Sequence, residues 1–326
     1  TGMVIDSMVA YNIPNEKAKN SVLSVQQDKY GINWVGTYTD LLWSAPSTHL
    51  LFRSFKDPVT GASFAHGFIR KIFVAQDSSL WIGSDDGLFH LVYNTALKQF
   101  QYKSTVSPVG KIQVSDIYED HSGCLWVATK GKGLARIYKS NSQIIWYDIE
   151  SGLSDNMLSR IESSRHDSIL WISTHNGLSR MTVHTGMFHN FYEESGFPGN
   201  EFNSAASCRH PDGRLFFGGV NGLIYFNPDS IFIPEYQYVT AVPYVQIYSH
   251  RIDSLISMGQ HPTSLQVAAY PELLEFVLVC NERIKPDKVR YRYRLLGLSD
   301  KWNYTTGENK VKYVHLSPVP LARFVG

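Results

Sequence analysis

Cysteine, long apolar runs and an excess of charge of either sign are all scarce in this 326-residue chain. The three cysteines lie far apart and form no CxxC pair, which excludes a disulfide framework and argues against a thiolate zinc site. No apolar run approaches the length of a membrane span. Lys and Arg number 30 against 29 Asp and Glu, with no basic stripe, so nucleic acid is not an expected partner.

Sequence motifs of common catalytic and cofactor sites are also missing, including GxSxG, HExxH, the P-loop and the dinucleotide fingerprint. His121, His166 and His210 recur about one repeat apart, which places them on separate structural units rather than around one metal ion. Adjacent carboxylates such as Asp85 and Asp86 point in opposite directions on a strand, which does not suit an acid–base pair. We therefore expect no catalytic residue, no metal site and no cofactor.

What the chain has is aromatic residues, 13% of the total, and one of them recurs at a nearly constant interval. Five segments align on a shared aromatic position, with intervals of 47, 45, 45 and 45 residues. The aligned residues are Trp34, Trp81, Trp126, Trp171 and Phe216. A period in the forties with aromatic and glycine signatures predicts an all-β fold of four-stranded β-propeller blades. The fixed place of these aromatic residues in the repeat favours core packing over exposed sugar platforms.

Each repeat also carries turn signals on both sides of its aromatic strand. An Asp opens the preceding turn, six residues before the aromatic in the first and third repeats and four residues before it in the others. A Gly-Leu pair follows the strand in four repeats, whereas the first has Asp40-Leu41. The first strands are predicted at 22–26, 69–75, 112–118 and 157–162. The fourth strands are predicted at 50–55, 99–103, 144–148 and 187–192.

The residues between the aromatic strand and Gly-Leu differ from repeat to repeat. In a propeller these loops lie on one face, and a polar, blade-specific set on one face is how repeat scaffolds build binding sites. Ordinary surface variation is the alternative explanation, and the sequence leaves both open. The candidate ligand-binding residues are Tyr38, Asp85, Asp86, Lys130, Lys132, His175, Asn176 and Asn221.

The repeat period stops near Asn227-Pro228 and Pro234, so we predict propeller repeats over 1–235 and a second domain over 236–326. Strands are expected there at 244–248, 264–269, 273–279, 289–296, 311–315 and 321–325. Their spacing and turn signals predict a small antiparallel sandwich of the immunoglobulin-like kind.

The repeat Asp-x-x-Gly-x-Leu-Trp-Ile-Gly-Thr-x-x-Gly-Leu resembles the two-component regulator propeller repeat, with near-complete matches at 120–134 and 167–178. The segments 199–203, 217–219 and 226–228 resemble the closing blade of such propellers. The second domain is similar to the Y-Y-Y domain that follows them. That similarity rests on Tyr291, Tyr293, Gly297, Leu298, Trp302, Tyr313 and Leu316.

This resemblance implies the periplasmic, extracytoplasmic sensor region of a Bacteroides-type hybrid histidine kinase. An oligosaccharide or other small extracellular ligand is the implied partner, and a homodimer that rearranges its subunits is the implied signalling unit. The membrane helix and the kinase would lie outside this segment. The family usually carries more than five repeats, and the segment from Ser317 onward stops before the usual last strand is complete. We therefore expect a fragment or a shortened relative whose last domain is incomplete at its C-terminus. A propeller lyase or hydrolase and a protein-interaction scaffold are the alternatives.

Overall fold

The computed structural model describes residues 21–46, 52–64, 66–104, 107–231, 233, 240–248, 254–257, 272–280, 289, 291–299, 302–305, 308–314 and 323–325. The chain divides into two compact units, Thr1–Phe232 and Ile233–Gly326. Within the described ranges, no helix is long and apolar enough to cross a membrane.

Each of the first four repeats folds into one antiparallel four-stranded sheet whose strands follow chain order. Blade 1 consists of β1 (Val22–Gln27), β2 (Asn33–Thr37), β3 (Leu41–Ser44) and β4 (Arg53–Ser54). Blade 2 consists of β5 (Ile69–Val74), β6 (Leu80–Ser84), β7 (Gly87–Asn94) and β8 (Gln99–Ser104). Blade 3 consists of β9 (Val114–Glu119), β10 (Cys124–Thr129), β11 (Leu134–Tyr138) and β12 (Gln143–Tyr147).

Blade 4 consists of β13 (Leu158–Ser163), β14 (Ile169–Thr174), β15 (Leu178–Thr182) and β16 (Met187–Phe191). Blade 5 has three strands among the described residues, β17 (Phe202–Arg209), β18 (Leu215–Gly219) and β19 (Gly222–Phe226). Two short 3₁₀ turns, Glu193–Ser195 and Pro228–Ser230, are the helical segments of these ranges. The predicted all-β class with propeller blades is confirmed.

The repeat aromatic residues occupy the same place on the second strand of every blade. Trp34, Trp126 and Trp171 are at most 1% exposed and Trp81 is 6% exposed, while Phe216 is half-buried. The core placement predicted for the tryptophans is therefore correct.

Several predicted strand ends were displaced by one or two residues. The first strand of blade 3 begins at Val114 rather than 112, and that of blade 4 begins at Leu158 rather than 157. The fourth strand of blade 3 ends at Tyr147, because Asp148 opens a turn in which its carbonyl accepts the N–H groups of Ser151 and Leu153. Residues 50 and 51 of a predicted strand lie outside the described residues.

Neighbouring blades pack face to face, with their first strands innermost and adjacent to one another. In each interface the tryptophan and the first leucine of the third strand of one blade pack against apolar residues of the next. Trp126 and Leu134 of blade 3, for example, pack with Leu158, Ile161 and Leu170 of blade 4. Burial of these apolar faces is the main term that holds consecutive blades together.

The second unit has two antiparallel sheets among its described residues. One contains β20 (Thr240–Tyr248), β21 (Ser254–Ser257), β22 (Leu273–Cys280) and β25 (Lys310–Val314), and the other contains β23 (Arg292–Leu296), β24 (Asn303–Tyr304) and β26 (Arg323–Val325). Val245, Phe276 and Val311 belong to its core. The strand predicted at 264–269 lies outside the described residues, and the short β21 and β24 were not predicted. The immunoglobulin-like arrangement stays a prediction.

Candidate functional site

The loops between the second and third strands share one hydrogen-bonded frame. In blades 1 to 4 the last residue of the second strand carries a hydroxyl that donates to a carbonyl at or directly before the start of the third strand. Thr129 Oγ1 donates to the Gly133 carbonyl at 2.7 Å, and Thr174 Oγ1 donates to the Gly177 carbonyl at 2.8 Å. Because hydroxyls at equivalent repeat positions and the backbone close this frame, the side chains between them can vary without loss of the hairpin.

The first residue of these loops is fixed beside the innermost strand of its own blade. Its N–H donates to the carbonyl at the start of that strand in blades 2 to 5, at 2.9 to 3.1 Å: Asp85 to Phe68, Lys130 to Gln113, His175 to Met157 and Val220 to Glu201. Tyr38 occupies the same repeat position in blade 1. We call the five first loop residues the inner-loop positions: Tyr38, Asp85, Lys130, His175 and Val220.

An aromatic pair lies at the blade 1 end of this set. The rings of Tyr38 and Phe68 stack with centroids 4.4 Å apart and planes 14° apart, and the two residues are 37% and 38% exposed. The Arg70 guanidinium lies 5.5 Å from the Phe68 ring centroid and binds Asp85 with a shortest distance of 2.5 Å from Nε to Oδ1. Blades 1 and 2 thus present an exposed aromatic surface bordered by an ion pair.

Blades 3 and 4 bring together two of the predicted residues. Lys130 Nζ lies 2.7 Å from His175 Nε2 and donates to Ser159 Oγ at 3.1 Å. Burial lowers the pKa of Lys130, and the positive charge of Arg70 lowers it further, against the opposing effect of Asp155 and Glu201. With a charged Lys130, His175 accepts through Nε2 and carries its proton on Nδ1.

The other predicted residues lie farther along the loops, towards the surface. Asp86 Oδ1 lies 3.5 Å from Lys111 Nζ. The Lys132 ammonium lies 3.9 Å from the ring centroid of Trp146 on β12, the outermost strand of blade 3. Asn176 and Asn221 are exposed. The structure therefore groups Tyr38, Asp85, Lys130 and His175 by position and separates Lys132 from them.

Three residues that contact the inner-loop positions were not predicted, namely Phe68, Arg70 and Ser159. All three lie at or next to the start of a first strand. The adjacent charges Arg70 and Lys71 in β5 were the available signal, since a charge in a predicted buried strand needs a partner.

Residues 109–131 match the family model described as two component regulator propeller. This segment contains β9, β10 and Lys130 of the inner-loop set. The chain carries the two-component regulator propeller repeat. The repeat type predicted from the sequence signature is thereby confirmed for this segment, which contains one of the inner-loop positions, Lys130.

Similar proteins extend the match beyond that repeat. Histidine kinase P4 of Formosa agariphila is 23% identical over 318 residues, covering 90% of this chain and 22% of the relative. The propeller chain therefore spans about a fifth of that relative's length.

Two solved extracellular domains from B. thetaiotaomicron, both described as belonging to hybrid two-component systems, share the fold. That of BT3049 has a TM-score of 0.55 at 20% identity, covering 91% of this chain and 40% of that chain. That of BT4673 has a TM-score of 0.54 at 16% identity, covering 91% of this chain and 53% of that chain. At these identities the likeness shows the common architecture.

Proposed function

We propose that this chain is the extracellular sensor region of a two-component receptor and that its inner-loop face binds a saccharide. The family match and the similarity to extracellular domains of such systems support the sensor assignment. The main support for a binding site is that the inner-loop positions have equivalent places in the fold but different side chains. Their backbone is anchored in the same way in blades 2 to 5, yet the five side chains are an aromatic, an acid, a base, an imidazole and an aliphatic group.

The Tyr38–Phe68 pair supports a saccharide as the ligand class. Two stacked rings that are both more than a third exposed offer an apolar surface for the C–H face of a sugar ring. Asp85 and Arg70, beside Phe68, supply donors and acceptors for hydroxyl groups, and His175 occupies an equivalent inner-loop position in blade 4. An apolar wall with a few fixed polar groups is the general composition of small-molecule sites.

In this proposal the segment binds and transmits rather than catalyses. The intact receptor would be a homodimer, with its membrane helix and kinase outside this segment. A saccharide can change kinase output only by binding one arrangement of the two subunits more tightly than another.

The test is a thermal-shift screen of the 326-residue chain against neutral and acidic oligosaccharides, repeated on two tyrosine variants. Tyr38→Ala removes one ring of the exposed pair. Tyr30→Ala is a matched control, because Tyr30 is also 37% exposed and also stacks on an aromatic ring, that of Tyr93 at 3.9 Å, but lies in the turn between β1 and β2 at the other end of blade 1.

A ligand at one hundred times its Kd should stabilise the chain by about 2.7 kcal/mol. We expect Tyr38→Ala to weaken binding at least tenfold and Tyr30→Ala to leave it unchanged. A saccharide that binds both variants equally well would place its site elsewhere. Absence of any thermal shift across the panel, or turnover of a saccharide, would contradict the proposed function.

A further inference from the structure

Lys130 is a half-buried cation that forms no ion pair with any described residue. Its two polar contacts, Ser159 Oγ and His175 Nε2, are uncharged when Lys130 is charged and donates to the imidazole. Asp155 and Glu201 act on it only at longer range. A partly desolvated charge without a counter-ion is unfavourable unless something else compensates it.

Three other cations on the innermost strands of blades 2 and 4 have carboxylate partners. Lys71 Nζ and Arg160 Nη1 both bind the buried Asp116 Oδ1, at 2.8 and 3.1 Å. Arg70 binds Asp85. These pairs lie on or beside the innermost strands of blades 2 to 4. Lys130 therefore differs from these neighbouring cations in having no counter-ion among the described residues.

A second cation, Arg70, acts on Lys130 and also contacts the aromatic pair. Arg70 is near enough for its charge to lower the pKa of Lys130. The same guanidinium lies over Phe68, whose ring stacks on Tyr38. Arg70 therefore contacts one ring of the aromatic pair and also acts electrostatically on Lys130.

We propose that the ligand of the inner-loop face carries an anionic oxygen group, a carboxylate or a sulfate ester, that binds Lys130 with support from the charge of Arg70. This inference rests on the proposed function and narrows its ligand class to acidic saccharides. A charge-assisted contact from the ammonium to the anion supplies the partner that the folded chain does not.

The direct test follows the ammonium of Lys130 in the 326-residue chain by NMR of its Cε–H signals. Sodium glucuronate and sodium sulfate are the two probes, sodium chloride at matched ionic strength is the background, and glucose is the neutral comparison. Binding of an anion favours the charged form, so we expect a saturable rise in the pKa of Lys130 with at least one probe and none with glucose. A rise of one unit means that the anion binds the ammonium form about tenfold more tightly than the neutral amine.

Substitutions distinguish the contribution of Lys130 to anion binding from that of Lys132 in the same loop. We expect Lys130→Met to weaken binding of the responding probe at least tenfold, Lys130→Arg to restore part of it, and Lys132→Met to leave it unchanged, because Lys132 lies over Trp146. A response to glucuronate alone identifies a carboxylate, and a response to sulfate alone identifies a sulfate ester. No saturable change at Lys130 with either probe overturns the inference.

These experiments distinguish failure of the anion-binding inference from failure of the proposed saccharide-binding function. If a neutral oligosaccharide binds and Lys130→Met retains its affinity, the saccharide site stands and the anionic group is wrong. If no oligosaccharide binds but sulfate or glucuronate still raises the pKa of Lys130, the anion site stands and the saccharide class is wrong.

Discussion

At the residue scale, the repeat tryptophans fall into two classes according to the partner of the indole N–H. Trp34 Nε1 donates to Asp28 Oδ2 at 2.9 Å and Trp126 Nε1 donates to Asp120 Oδ2 at 2.8 Å. Trp81 Nε1 and Trp171 Nε1 are buried and have no partner among the described residues. The difference follows the turn length, because the indole is paired where the Asp precedes it by six residues and unpaired where the Asp precedes it by four.

This difference predicts unequal costs for the same substitution. Trp126→Phe removes a hydrogen bond to a carboxylate, whereas Trp171→Phe removes a buried donor that already lacks a partner, so we expect Trp126→Phe to cost about 1–2 kcal/mol more free energy of unfolding. Truncation to Ala should cost about 3–5 kcal/mol at either position, since both side chains are buried. Urea unfolding, monitored by circular dichroism, gives the free energy of unfolding of the two Phe variants and the two Ala variants. Equal losses for the two Phe variants would contradict the hydrogen-bond argument.

His90 predicts an acid-sensitive step in stability. It stacks on Trp81 with centroids 3.8 Å apart, and its Nε2 is buried without a partner among the described residues. Burial, reinforced by the charge of Lys103, lowers the pKa of His90 to about 4. The unfolded chain, with a histidine pKa near 6.5, therefore binds the proton more readily, and stability is lost as the pH falls from about 6.5 towards 4.

We expect His90→Phe, which keeps a ring on Trp81, to flatten the stability profile between pH 6.5 and 4. Each unit of lowered pKa corresponds to about 1.4 kcal/mol, so the change in slope is measurable by urea unfolding at several pH values. His166→Phe is the control, because His166 is exposed. An unchanged slope for His90→Phe would show that another group controls the acid response.

At the scale of the element, the hairpin between β10 and β11 needs two glycines for different reasons. Both have positive φ, +112° at Gly131 and +82° at Gly133. A Cβ at Gly131 would meet open space, whereas a Cβ at Gly133 would collide with the backbone carbonyl of Tyr147. Gly131→Ala should therefore cost the backbone strain alone, about 1–2 kcal/mol.

Gly133→Ala should cost that strain and a displacement of the last residues of β12, about 1–3 kcal/mol more. The free energies of unfolding of the two variants, measured side by side, test this difference. Similar losses would mean that the third and fourth strands separate easily, and the Gly-Leu signature would then reflect turn conformation alone.

The elements that could be predicted from the sequence are those with a local, repeated cause. The Asp turn, the aromatic strand and Gly-Leu each act within a few residues, and they located every second strand and most first and fourth strands. Phe68, Arg70 and Ser159 could not be assigned to the site in the same way, because their contacts with Tyr38, Lys130 and Asp85 depend on how strands and blades meet. The repeat pattern predicts that the inner-loop positions lie on one face of the propeller. It could not predict the Lys130–His175 contact, because that contact depends on the distance between blades 3 and 4.

At the scale of the whole molecule, the propeller unit has one blade face that differs from its equivalents. The leucine after Gly is fully buried in blades 2 to 4, where the next blade covers it, as Phe202, Leu215 and Phe217 cover the region of Leu178. The equivalent Leu223 of blade 5 is 61% exposed, and Tyr225 on the same strand is 60% exposed. The same repeat position is therefore a core residue or a surface residue according to whether another blade packs on it.

This contrast predicts that stability effects depend on the place of a blade in the series rather than on the repeat motif. Leu178→Ala should cost about 2–5 kcal/mol, because it leaves a cavity between blades 4 and 5. Leu223→Ala should change stability by at most about 0.5 kcal/mol, because its side chain already contacts water over most of its surface. Urea unfolding of both variants at several protein concentrations is the measurement. A large loss for Leu223→Ala that shrinks on dilution would instead show that a second copy covers this face in solution, since association stabilises the unsubstituted chain by mass action and this stabilisation falls with concentration.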